Sequence, residues 1–221
     1  MSSITHTRSL PHNIDPRRLG AAAGILAGPL FLTVVAFLTW AELDYLHGLG
    51  WHYTKKNDVP WPSATALGPH GWIQILNFAV AGLLLLAFAR SFRAELHGKT
   101  GRIGAGLMTL LALGLVVSAF PTDDASAHGH QPNTWHGWIH SIGFIVIVLS
   151  SLLAPILVAL ALRRDPRRRV AALLCGAAPV LMIVMFIPAA NTLHDLGFTG
   201  YLAVVFGWQA MLAYRPLRGR D

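Results

Sequence analysis

The side chains best suited to chemistry cluster in one stretch of the chain. Phe120-Pro121-Thr122-Asp123-Asp124 is followed by His128, His130, His136 and His140. On a helix His136 and His140 fall on one face a single turn apart, so they offer two imidazoles to one ion or ligand. A later segment adds Asn191, His194 and Asp195. Two or three imidazoles with a carboxylate suit zinc, copper, iron or nickel, and a water held at an open position on such an ion becomes a nucleophile near neutral pH. His136, His140, His194 and Asp124 are therefore the candidate metal ligands, with zinc or another divalent transition metal as the implied cofactor. Ser118 and Asp123 are the candidate catalytic residues. The chemistry would be hydrolysis of a lipid or amide.

Other roles are open to the same residues. His136-Gly137-Trp138-Ile139-His140 lacks the glutamate of the zinc-protease HExxH pattern, which excludes that assignment. The His136/His140 pair also suits hydrogen bonding at a membrane surface, and His128 and His130, in a Gly/Ser/Ala loop, read as solvated. Paired histidines in a helical bundle ligate haem as well, but only at the depth where these histidines lie. Transport calls for polar groups near the bilayer midplane, where the chain offers chiefly Asn77 and Gln209. Haem-based redox chemistry and a non-catalytic transport, sensory or assembly role are the alternatives.

The elements that must position these groups are membrane spans. The 221 residues are 54% apolar and 12% charged, with mean hydropathy +0.52, against roughly 45–50% and 25% in a soluble domain. This excludes a soluble enzyme and a disordered chain. Apolar runs cover residues 20–40, 71–89, 103–120, 138–162, 170–188 and 198–214. Each approaches the roughly 20 residues that cross a bilayer. Because lipid offers no partner to backbone groups and strand-like alternation is absent, the runs predict an all-α bundle of six transmembrane helices. Residues 20–214 form this domain, with tails at 1–19 and 215–221.

Orientation follows from charge. Fifteen of the 17 Lys and Arg residues fall on one side of the six-span arrangement, leaving Lys55 and Lys56 on the other. Basic flanks stay in the cytoplasm, so both termini are expected there and the protein in the cell membrane. The net charge of +7 then reads as these flanks rather than as a nucleic-acid surface. Membrane lipids are the expected partners, with a lipid or small-molecule ligand at the outer face. Arg17-Arg18 superficially suggests a twin-arginine signal, but the first run reads as a retained anchor. Cys175 stands alone, so no disulfide forms within the chain.

Packing signals complete the reading. Gly20, Gly24 and Gly28 form a stripe that lets a second helix approach closely, in contrast to Leu32, which is expected to face lipid. Pro29, Pro155 and Pro179 fall inside spans. Trp40, Trp51, Trp61, Trp72, Trp135 and Trp138 gather toward the outer side as an aromatic belt. The connection from about 41 to 70 is long enough to cap the bundle.

Trp61-Pro62-Ser63, Phe120-Pro121-Thr122-Asp123 and the His136/His140 pair, set in this layout, resemble the bacterial six-span family known as domain of unknown function 998. The resemblance covers most of the chain and implies a multi-pass membrane protein with no established activity. Ser118, Asp123/Asp124 and the histidine pair are also similar to membrane hydrolases that include alkaline ceramidases. Those proteins usually have seven spans and a different histidine order, so no role is carried over.

Overall fold

A computed structural model of the chain describes residues 15–51, 60–123, 134–186 and 194–217. Its long helices are α1 (Pro16–Ala41), α3 (Gly71–Phe92), α4 (Gly98–Val117), α5 (Trp135–Leu162), α6 (Arg169–Phe186) and α7 (His194–Leu217), with a short α2 (Leu43–Gly48) after α1. There is no strand among the described residues. Local sequence sets several helix starts. Asp15 accepts from the Arg17 amide with Pro16 in the first turn, and Thr134 accepts from the Gly137 amide. Gly98, at φ +76°, supplies the left-handed residue from which α4 departs.

Among the described residues, five helical stretches are long and apolar enough to cross a membrane: Pro16–Ala41, Gly71–Glu95, Gly98–Val117, Trp135–Leu162 and Pro166–Phe186. The run at 198–214 is also helical, as α7, but Gly197, Gly200, Tyr201, Gly207, Trp208 and Gln209 dilute its hydropathy. The chain is thus an all-helical, multi-pass membrane protein. Boundaries differ from the apolar runs where hydropathy and helicity part company. α4 begins at Gly98 rather than 103 because Lys99, Thr100 and Arg102 belong to a helical first turn that is polar. It ends at Val117, leaving Phe120 beyond the helix.

The six long helices close a ring in which α1 packs on α3, α3 on α4, α4 on α5, α5 on α6, α6 on α7, and α7 on α1. Side chains fill the middle. The Phe31 ring lies 5.2 Å from both Phe78 and Phe206, and the Ser151 hydroxyl meets the Tyr201 hydroxyl at 2.8 Å between α5 and α7. The glycine stripe of α1 faces inward at the seams with α3 and α7. A Cβ on Gly28 would stand 2.6 Å from Phe206 Cβ, and one on Gly20 would collide with Ser91. Leu32, expected to face lipid, is half-buried, whereas Leu26 on the same helix is 58% exposed. Pro29, Pro155 and Pro179 lie within helices that continue through them.

Both ends of the ring are tied. At one end Arg168 reaches Glu95 (3.2 Å) and Asp165 (3.3 Å), joining the turn after α3 to the turn after α5. At the other, the connection after α1 crosses the bundle. Leu46, Trp51 and Ala64 form a small buried cluster, and the Trp61 ring lies 5.8 Å from Phe144 of α5 and 4.5 Å from Phe198 of α7. Trp40, Trp72, Trp135 and Trp138 are exposed at this end, as a belt requires, while Trp51 is 5% exposed and belongs to the cap.

Candidate functional site

The first turn of α5 folds back onto the end of α4 through polar contacts. Asp123 accepts from the Thr134 amide at 2.9 Å and from the Thr134 hydroxyl, while Thr134 Oγ1 accepts from the Gly137 amide at 3.2 Å. A carboxylate is favoured at a helix N-terminus, where unpaired amides carry partial positive charge. Gly137 is required here, because a Cβ would strike the Asp123 carboxylate. Asp123→Ala is therefore expected to lower stability by about 1–2 kcal/mol, and Asp123→Asn by less, as measured by thermal unfolding in detergent.

Both histidines of the α5 face are held at Nδ1. His136 Nδ1 lies 3.0 Å from the Pro121 carbonyl and 3.5 Å from Asp123 Oδ1, and His140 Nδ1 lies 2.8 Å from the Phe120 carbonyl. Since a carbonyl only accepts, Nδ1 of each ring carries a proton, and in the neutral ring Nε2 then carries the lone pair. His140 is 9% exposed, edge-on to Phe78 at 6.0 Å. The pair therefore fastens α5 to the chain leaving α4, and it also presents Nε2 in the tautomer a metal ligand uses.

Of the remaining candidates, only Ser118 has a described side chain. Ser118 is buried, and its Oγ has no hydrogen-bond partner among the described residues; it abuts Gly143, where a Cβ would come within 2.7 Å. A nucleophilic hydroxyl needs a base within hydrogen-bond reach, and the α5 backbone supplies none. Asp124, like His128 and His130, lies outside the described residues. His194 opens α7, but its side chain is not described. One turn beyond each, Phe198 of α7 and Phe144 of α5 have ring centres 6.4 Å apart, with Trp61 against both. Among the described residues no three His, Cys, Asp or Glu side chains are grouped to hold a metal.

A second polar group joins Asn77, which the sequence singles out, to residues it does not. Glu42 is 4% exposed, with Oε1 2.6 Å from the donating His70 amide, Oε2 unpartnered among the described residues, and Gly68 pressed against the carboxylate. Below it on α3, Asn77 Nδ2 donates to the Phe31 carbonyl (3.1 Å) and to Gln74 Oε1 (3.2 Å). Gln74 is fully buried and its Nε2 lacks a partner among the described residues. His70, Gln74 and Asn77 are spaced four and three residues apart, which would have revealed a polar stripe on one helical face.

An apolar groove of about 570 Å³ opens between α1 and α7 at the same end. Leu32, Val35, Trp40, Pro60, Pro62 and Phe198 are among the residues lining it. By the order of helices in the ring, the α1–α7 seam lies opposite the α4–α5 seam that carries Asp123 and the histidines.

The family model described as Protein of unknown function (DUF998) matches residues 21–215. The chain belongs to the DUF998 family. The match takes in α3 to α6 whole and nearly all of α1 and α7, so DUF998 is defined on the entire ring rather than on the histidine-bearing segment. No curated protein and no solved structure matches the chain.

Proposed function

We propose that this chain is a six-span protein of the cell membrane, with both termini cytoplasmic, that binds a lipid-like apolar molecule at its outer face without transforming it. Support for α7 as the sixth span comes from its packing between α1 and α6 and from its 24 residues, about 36 Å of helix. Tyr201, Trp208 and Gln209 are buried, so the polar groups that dilute its hydropathy turn toward protein. The charge split gives the orientation. Reporter fusions at Asp221 and near Ala127 are expected to report opposite compartments; the same compartment for both would overturn the six-span layout.

The observation that carries the binding reading is the groove at the α1–α7 seam. Its volume falls in the range of small-molecule sites, roughly 300–1,000 Å³, and its walls are apolar as such sites are. It opens where the chain after α1 roofs the bundle. Neither His136 nor His140 lines it, which favours binding over catalysis at this groove. A photoreactive fatty acid carrying a diazirine is expected to label peptides spanning 32–40 and 198–202, and Ala36→Trp, which fills the groove, to cut that labelling at least tenfold. Equal labelling of the exposed faces of α4 and α6, unaffected by Ala36→Trp, would remove the reading.

Metal-dependent hydrolysis is the second reading. The Nδ1 tethers of His136 and His140 favour it, since a metal-ligating histidine holds its other nitrogen against a carbonyl or carboxylate in this way. In it Asp124 and His194 would complete the ligand set, with Ser118 and Asp123 beside them. Metal analysis of the purified protein before and after chelation tests it.

A further inference from the structure

The end of the bundle opposite the histidines carries a groove of its own, about 450 Å³, at the seam of α5 and α6. Ile156 and Leu160 form one wall, Leu173 and Gly176 the other, and Arg163 and Arg169 stand at its mouth. Arg163 follows the last residue of α5 and Arg169 is the first of α6, so the two guanidinium groups flank the short turn between the helices. Both are exposed, and among the described residues neither is paired with a carboxylate. Neighbouring Arg168 differs, since Glu95 and Asp165 already neutralise it.

The walls belong to two helices apolar enough to cross a membrane, and Ile156 (42%) and Leu173 (73%) are exposed on the surface that meets lipid. Seven residues separate Ile156 from Arg163 and Arg169 from Gly176, so the trough runs about 10 Å into the hydrocarbon from the arginines. A Cβ on Gly176 would meet nothing within 4 Å, so this wall leaves space beside it. An occupant must therefore be apolar along its length and anionic at one end, at the depth of the headgroups. Two unpaired guanidinium groups suit a phosphodiester, whose oxygens accept paired N–H donors.

From this geometry we infer that the α5–α6 groove is a specific binding site for an anionic phospholipid, its phosphate between Arg163 and Arg169 and an acyl chain along Gly176. The inference is independent of the groove at the α1–α7 seam. It differs from the general attraction of basic flanks to an anionic surface, because it requires the trough as well as the charge.

The test uses the full chain in mild detergent, with native mass spectrometry against phosphatidylglycerol and phosphatidylcholine of the same acyl length. Phosphatidylglycerol is expected to bind at least tenfold more tightly. Arg163→Gln with Arg169→Gln should weaken it roughly 20-fold, to the level of phosphatidylcholine. Gly176→Leu, which keeps both charges and fills the trough, should weaken it comparably, whereas Arg164→Gln, outside the groove, should leave it unchanged. Millimolar inorganic phosphate should not compete. Equal binding of the two lipids, full phosphatidylglycerol binding by Gly176→Leu, equal loss with Arg164→Gln, or displacement by inorganic phosphate would each overturn the site.

Discussion

Replacing Gly24 with Leu is expected to destabilise the bundle by about 3 kcal/mol or more, enough to leave most of the protein misfolded after extraction into detergent. Without a hydrophobic force between helices in lipid, association rests on close van der Waals approach, and small residues make that approach possible. Gly24 sits where α1 touches two neighbours at once. A Cβ there would lie 2.7 Å from Phe88 Cγ on α3 and 3.0 Å from Ala213 Cβ on α7. Phe88 is 1% exposed and stacked on Phe92 at 5.4 Å, so its ring has nowhere to turn. Overpacking usually costs about 1–3 kcal/mol; here the strain falls on two seams of a closed ring. Gly24→Ala should show an intermediate loss and Leu26→Ala, on the exposed face, almost none. The measurement is the monodisperse fraction after heating in detergent. If Gly24→Leu survives as well as Leu26→Ala, the ring order around α1 is wrong.

The glycine stripe could be read before any coordinates because its spacing is a property of one helix. The six helical segments were legible for the same reason: an apolar run of span length has few alternatives. Features that depend on two distant segments meeting were not. Leu32 has the composition of a lipid-facing residue, yet it is half-buried and lines the groove that α1 forms with α7. Glu42 reads as one more carboxylate near the outer surface; it is buried because Gly68 and the His70 amide return over it some 26 residues later. Gln74 lies near the start of an apolar run, where polar residues are expected, yet it is fully buried. For the histidines, sequence gave the spacing of His136 and His140 but no sign that Phe120 and Pro121 would turn their carbonyls toward both rings. Those carbonyls are available because α4 stops at Val117, three residues before the apolar run ends.

That arrangement makes His140 the residue at which fastening and ligation can be separated. An asparagine amide stands near the position of Nδ1, and a glutamine amide nearer that of Nε2. If the role of His140 is to donate to the Phe120 carbonyl, His140→Asn keeps the donor and should unfold within about 0.5 kcal/mol of the wild type. His140→Gln withdraws it, leaving a buried carbonyl unpaired at a cost of about 1–3 kcal/mol. A metal site inverts the ranking in a second observable, because ligation uses the Nε2 lone pair: His140→Asn then loses the ion however well it folds. The binding reading expects both variants and the wild type to lack stoichiometric metal after purification without chelator, and expects stability alone to separate Asn from Gln. About one zinc per chain in the wild type, removed by His140→Asn and by His136→Asn with folding intact, would shift the assignment to metal-dependent chemistry. The α4–α5 seam would then hold the reacting centre, and the apolar groove across the ring would be a separate site.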